Sequence, residues 1–351
     1  MFAQVSISGN VYDENNLPLE GASVYLNNTT FGTTTNSKGQ FLLKIPEGVH
    51  ELVISFIGFE SQSFDFNTKD AYISLTFRLK EKSNILNEVV IQNRKRITLD
   101  QKKDFLRLFQ REFIGTSKVA ERCRILNKEV LEFDYDPRTQ NLNITASEPI
   151  QISNPSLGYI LHYDLRVFQL TSGIVYYAGH TRFEEVKASK KKKRRLHKNR
   201  RRAYHGSFMH FLRSVADNNM QYQGFVVHHI QRIPNAAQSN EGQIEKNAKE
   251  YEYREEIIKL NMVPHEYSRL KNDVPNLRFK DHLRITYSHE FPDENFPQKS
   301  EFKNQVSLLS LDTDEVEILK QGVLKRPLEA FVLGYWSFEK VGDMVPVNFK
   351  P

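Results

Sequence analysis

Only one of the 351 residues, Cys123, is a cysteine, which excludes an internal disulfide framework and any zinc cage built from thiolates alone. Tryptophan is equally scarce, with Trp336 the single example. No apolar run reaches the length of a helical membrane span, and the mean hydropathy is −0.55, so no transmembrane helix is expected. The 11 histidines include no His-x-x-Glu pair and no His-Glu-x-x-His, so a metallopeptidase zinc site is not encoded in either common form. A Gly-x-Ser-x-Gly elbow and a Gly-rich phosphate cradle are missing too. What is plentiful is Phe (24) and Tyr (15), rings that pack well on pleated faces and lean the fold towards β structure. With 39% hydrophobic and 26% charged residues the chain can bury a core, and its length suits two to three modest domains.

The formal charge of +6 and a pI near 9.1 invite a nucleic-acid reading. The distribution of charge argues against it. Residues 187–202 hold eleven basic residues and no acid, leaving 38 basic against 43 acidic residues elsewhere, a net charge of −5. After Lys187 the run comprises Lys190, Lys191, Lys192, Lys193, Arg194, Arg195, Lys198, Arg200, Arg201 and Arg202. Such a block repels itself and reads as an exposed, solvated loop. Its functional reading is a surface for an anionic partner, a lipid phosphate, lipopolysaccharide or acidic glycan. No aromatic residue interleaves the run to stack on bases, so specific nucleic-acid recognition is not expected.

Over the first ninety residues short apolar runs recur every 8 to 12 residues between turn signals, the pattern of a β-sandwich. Val5, Ile7 and Val11 alternate with polar residues, as do Ala22, Val24 and Leu26, then Phe41, Leu43 and Ile45, then Leu52, Ile54 and Phe56. Gly32-Thr33-Thr34-Thr35, Tyr72–Leu79 and Ile85–Ile91 complete about seven strands, with Asn36-Ser37-Lys38-Gly39 as one of the turns.

Four blocks here resemble the carboxypeptidase-regulatory-like domain: Ile7-Ser8-Gly9-Asn10-Val11-Tyr12-Asp13, Pro18-Leu19-Glu20-Gly21-Ala22-Ser23-Val24, Gly32-Thr33-Thr34-Thr35-Asn36 with Lys38-Gly39-Gln40-Phe41, and Ile54-Ser55-Phe56-Ile57-Gly58-Phe59. The resemblance implies a seven-stranded transthyretin-like (prealbumin-like) sandwich. Leu86-Asn87-Glu88-Val89-Val90-Ile91 is similar to the exit of the version preceding the plug of Bacteroidetes TonB-dependent transporters, an accessory module without catalytic residues. Met1-Phe2-Ala3-Gln4 looks like the end of a signal peptide cleaved after Ala3, which predicts an exported protein with an earlier true start.

Residues 92–104 read as a polar linker, and 105–351 as a larger, mostly antiparallel β domain with about two helices. Asp100 reads as an N-cap for a helix carrying Phe105, Leu108, Phe109 and Phe113, with Gly115 as its stop. A second helix is predicted over about 203–218, and the last apolar run, Phe331–Phe338, reads as a strand. Around Gly158-Tyr159, Tyr177-Ala178-Gly179 and Ala203–Ser214 this region resembles the C-terminal part of a Bacteroidetes group known by its carboxypeptidase-like regulatory domain, which has no assigned activity.

Isolated candidates remain. Cys123 lies between Arg122 and Arg124, but a lone cysteine is usually a small buried hydrophobe. His228 and His229 fall on opposite faces of a strand and cannot readily share a metal. Asp281-His282 and His289-Glu290 are conceivable acid–base pairs, and Asp312-Thr313-Asp314-Glu315 a loose calcium loop, each equally at home as ordinary surface. The sequence therefore predicts a non-catalytic cell-envelope protein with no cofactor or metal, binding or scaffolding at the periplasmic or outer-membrane face. Its expected partners are an outer-membrane protein or an anionic lipid or glycan. The alternatives are a hydrolase using His205, His210 and Asp281, or a component related to TonB-dependent transporters.

Overall fold

The computed structural model describes residues 4–69, 74–82, 97–234, 253–297 and 303–351. The period-2 patterning of the N-terminal region becomes seven strands in two sheets. β1 (Gln4–Tyr12) lies between β4 (Gln40–Pro46), antiparallel to it, and β7 (Leu75–Arg78), parallel to it. β2 (Ser23–Leu26), β3 (Gly32–Thr34), β5 (Val49–Ser55) and β6 (Gln62–Asn67) form the second sheet in the order β3-β2-β5-β6. In β4 the alternation is complete: Phe41, Leu43 and Ile45 are buried, whereas Gln40, Leu42 and Lys44 are exposed. They join Ile7, Val24, Leu52 and Ile54 in one apolar core. Gly39 ends the turn before β4 at φ 71°, where a Cβ would stand 2.5 Å from the Val11 carbonyl oxygen, so no side chain fits.

β6 is not among the predicted strands, although Phe64 and Phe66 alternate there with polar residues and Phe66 is buried. The predicted strand Tyr72–Leu79 is β7, with Tyr72 and Ile73 outside the described residues. The predicted strand Ile85–Ile91, Met1-Phe2-Ala3, and residues 92–96 of the expected linker lie outside them as well.

From Leu99 onwards that linker is helical. α1 (Leu99–Phe109) starts at Thr98, not Asp100: Thr98 Oγ1 accepts from the Gln101 N–H at 3.2 Å, and Gln101 Oε1 accepts from the Thr98 N–H at 2.9 Å. The aromatic stripe is core, as expected, with the Phe105 ring 5.0 Å from that of Tyr135 and Phe109 edge-on to Phe168 at 5.0 Å. An antiparallel sheet follows, built from β8 (Arg124–Ile125), β9 (Leu131–Asp136), β10 (Asn141–Ala146), β11 (Ile150–Asn154), β12 (Tyr159–Thr171) and β13 (Ile174–Glu185), with β12 and β13 as a long hairpin.

This sheet is bonded to the sandwich through main-chain groups. The Asn28 N–H donates to the Thr181 carbonyl at 2.7 Å and the Phe183 N–H to the Thr29 carbonyl at 2.9 Å. Asn27 Oδ1 accepts from the Thr181 N–H at 2.9 Å, while Glu51 accepts from Asn27 Nδ2 at 2.7 Å and pairs with His180 Nε2 at 3.1 Å. The chain accordingly forms two compact units, one of Met1–Gln110 with Cys123–Ser189, the other of Arg111–Arg122 with Lys190–Pro351. These do not follow the expected division at 92–104. The sandwich keeps its own core, yet the seam to β13 makes it part of a larger body.

The second unit holds a five-stranded antiparallel sheet, in the order β15-β14-β18-β19-β22, made from β14 (Phe225–Pro234), β15 (Tyr253–Lys259), β18 (His282–Tyr287), β19 (Gln305–Leu311) and β22 (Ala330–Gly334). A smaller sheet joins β16 (Ser268–Lys271), β17 (Val274–Leu277), β20 (Val316–Leu319) and β21 (Val323–Leu324). Three helices accompany them: α2 (Lys190–Tyr204), α3 (Phe208–Ala216) and α4 (Tyr335–Phe338). Two helical expectations need correction. The single helix predicted over 203–218 is divided by Gly206, at φ 80°, where a Cβ would meet Gln305 Oε1 at 2.2 Å. The apolar run Phe331–Phe338 is part strand and part helix, because Trp336 turns inward and donates its Nε1–H to the Gly206 carbonyl at 2.7 Å.

Candidate functional site

The basic run is a helix and not the loop expected from its charge: α2 carries every residue from Lys190 to Tyr204. Lysine and arginine are good helix formers, and Leu196, Asn199, Ala203 and Tyr204 recur on one face. Leu196 and Tyr204 are buried, and the rings of His197 and Tyr204 lie 5.5 and 6.2 Å from Phe349 in the C-terminal segment. Lys190, Lys191, Lys192, Lys193, Arg194, Arg195, Lys198, Arg201 and Arg202 are exposed, and Arg200 is half-buried on the inner side. The first turn contains lysines and no acid, so cations sit at the positive end of the helix dipole. Like charges also face one another four residues apart, at Lys191/Arg195, Arg194/Lys198 and Lys198/Arg202, each pair costing a few tenths of a kcal/mol.

Beyond α2 the chain turns at Gly206, and Ser207 caps α3, its Oγ accepting from the His210 N–H at 3.2 Å. Here two of the three hydrolase candidates meet: the His205 and His210 rings are 5.2 Å apart. The third does not join them. Asp281 Oδ2 is bonded to His229 Nε2 at 3.1 Å. His289 approaches the pair instead, its ring against Gly224, a convergence that sequence spacing gives no means of finding. Both nitrogens of His210 are engaged. Nδ1 accepts from the Gly206 N–H at 3.1 Å, so Nε2 carries the proton and donates to Gln223 Oε1 at 3.0 Å. The ring packs against Tyr204 and Phe225 at 4.8 and 4.9 Å, and burial pushes its pKa down to about 4. His205 is lowered as well, first by burial and then by Arg201 and His289. This is a neutral, packed imidazole held by its neighbours.

The remaining candidates are dispersed. Cys123 is buried. His228 Nδ1 accepts from the Asn261 N–H at 3.0 Å, apart from the His229–Asp281 pair, and His282 Nδ1 meets Ser310 Oγ at 2.8 Å. Glu315 of the proposed calcium loop is paired with Arg269 and Lys271, which hold its carboxyl below the usual carboxylate range. A group that sequence reasoning missed is acidic: burial, then Asp343 and Glu290, push Glu339 well above the usual carboxylate range. Burial raises Asp343 to about 6 even though it accepts from Ser117 Oγ at 2.5 Å. Among the described residues no cluster of three or more His, Cys, Asp or Glu side chains is arranged to hold a metal ion.

Residues 7–91, a stretch that takes in most of the seven-stranded sandwich, match the family model of the CarboxypepD_reg-like domain. That module is a CarboxypepD_reg-like domain. Over 88 residues the chain is 35% identical to the TonB-dependent receptor SusC of Bacteroides thetaiotaomicron, and over 89 residues 33% identical to a TonB-dependent receptor of Formosa agariphila. Each alignment covers 25% of this chain and 8% of the receptor, so the chain is similar to a small part of the curated relatives it matches. Among solved structures, a type II cohesin–X-dockerin complex from Acetivibrio cellulolyticus aligns at 16% identity over 32% of this chain and 76% of that one. Its TM-score of 0.20 is too low to bear on the fold.

Proposed function

We propose that this protein is a non-catalytic component of the cell envelope that binds or scaffolds at the periplasmic or outer-membrane face, with its CarboxypepD_reg-like sandwich as an accessory module. The observation that carries this reading is the module itself, since the two curated relatives similar to the chain over 88 and 89 residues are TonB-dependent receptors. Its union with β13 supports a scaffolding role, because the sandwich is held in a fixed pose by main-chain bonds on one side. The engagement of both His210 nitrogens and the separation of Asp281 from His205 favour a role without chemistry. Fractionation of native cells, with mass-spectrometric detection in the cytosolic, periplasmic, inner-membrane and outer-membrane fractions, is the test. Recovery in the periplasmic or outer-membrane fraction is expected, and recovery in the cytosol alone would overturn the reading.

A further inference from the structure

We infer that the outer face of α2 is a docking surface for the phosphate headgroups of an anionic membrane. The inference rests on the envelope reading above and names the surface that such a protein would meet. Lys191, Arg194, Arg195, Lys198, Arg201 and Arg202 are exposed and recur at three- and four-residue spacing, which places them on one side of the helix. At 1.5 Å per residue they form a straight row about 16 Å long. The opposite side is fixed by burial of Leu196 and by Tyr204 packed against Phe349, so the row is presented by a packed element and does not have to be ordered on binding.

The electrostatics of α2 break the local rules for a stable helix, with lysines at the positive end of the dipole and like charges one turn apart. A layer of phosphates reverses both penalties at once, since each anion sits between cations that otherwise repel. Places where a sequence departs from local consistency are where function is expected.

Charge complementarity alone would also admit a nucleic acid. The composition of the face favours a headgroup layer. It offers lysine and arginine, exposes no Phe, Tyr or Trp ring to stack on a base, and belongs to a chain whose N-terminal module is shared with TonB-dependent receptors. Nor does α2 expose an apolar side chain, so contact is at headgroup depth without insertion and must be screened by salt. Outside residues 187–202 the chain carries a net charge of −5, which leaves this face to orient the molecule on an anionic surface.

The test is sedimentation of the purified full chain with vesicles of 30% phosphatidylglycerol in phosphatidylcholine, beside vesicles of phosphatidylcholine alone. Each cation near such a surface contributes about fivefold to partitioning. A variant with Lys191, Arg194, Arg195, Lys198, Arg201 and Arg202 all changed to Gln should therefore bind at least about a hundredfold more weakly while keeping its circular dichroism. If that variant fails to fold, the wild-type salt series decides: binding should vanish as the screening length falls from about 10 Å at 0.1 M towards about 3 Å at 1 M. No binding to the anionic vesicles, salt-independent binding, or equal binding by a folded variant would overturn the proposal. So would tighter binding to duplex DNA than to vesicles at equal phosphate concentration. These outcomes are separate from fractionation, because a protein recovered in the envelope can still fail to bind phosphatidylglycerol.

Discussion

His210 is a residue whose role follows from its surroundings more than from its type. In the unfolded chain its imidazole takes up a proton near 6.5, whereas in the fold it does so only near 4. Between those values the unfolded state binds more protons, so acidification favours unfolding, and the contribution present above pH 6.5 is lost on descent to pH 4. Replacing His210 with Gln should be destabilising at pH 7, by an amount that shrinks towards pH 4 by on the order of 3 kcal/mol. Urea denaturation of both proteins at several pH values measures this, and a difference that does not change with pH would contradict it. The sequence offered His205, His210 and Asp281 together because all three residue types suit acid–base work. Their distances depend on strand register in β14 and β18, which pairs Asp281 with His229, and no spacing along the chain encodes that.

At the level of elements, period-2 strands were the most legible, because burial on one face writes itself directly into alternation. β1, β2, β4 and β5 all fall where the sequence places them. The basic helix was not legible, since eleven cations in sixteen residues dominate the local reading and its few apolar anchors count only once Phe349 lies against them. Arg213 on α3 secures that segment. Its Nε donates to the Gln321 carbonyl at 2.9 Å, Nη1 to Phe349 at 3.1 Å and Nη2 to Val347 at 2.6 Å, and its guanidinium lies 5.2 Å from the Tyr204 ring. Arg213→Met keeps much of the side-chain length and removes all three bonds, for an expected loss of about 2–4 kcal/mol. Equilibrium unfolding in urea gives the value, and a loss below about 0.5 kcal/mol would mean that the C-terminal segment is held by its apolar contacts.

Across the whole molecule, the N-terminal module was recognisable from its turns and its four sequence blocks, whereas the division into compact units was not. The reason lies in Asn27, Asn28 and Thr29, a short polar stretch whose residue types point to no distant partner. Their backbone and side-chain groups are nevertheless spent on Thr181 and Phe183, far along the chain. Unfolding of the sandwich should therefore be felt in β13. Ile54 is fully buried, and Ile54→Ala should cost about 2–5 kcal/mol. Native-state hydrogen exchange should show the Thr181 and Phe183 amides losing protection together with those of β5. Unchanged protection at 181 and 183 would show that the sandwich opens alone.

One further property of the module concerns its synthesis. β1 is an inner strand, with Asn10 opposite Gln40 on one side and Thr76 on the other. The first strand of the module to leave the ribosome thus emerges with both hydrogen-bonding edges open, and its second partner is translated on the order of several seconds later. For that interval Val5, Ile7 and Val11 are displayed on an unpaired ribbon, accessible to a holding chaperone or to the same strand of a neighbouring nascent chain.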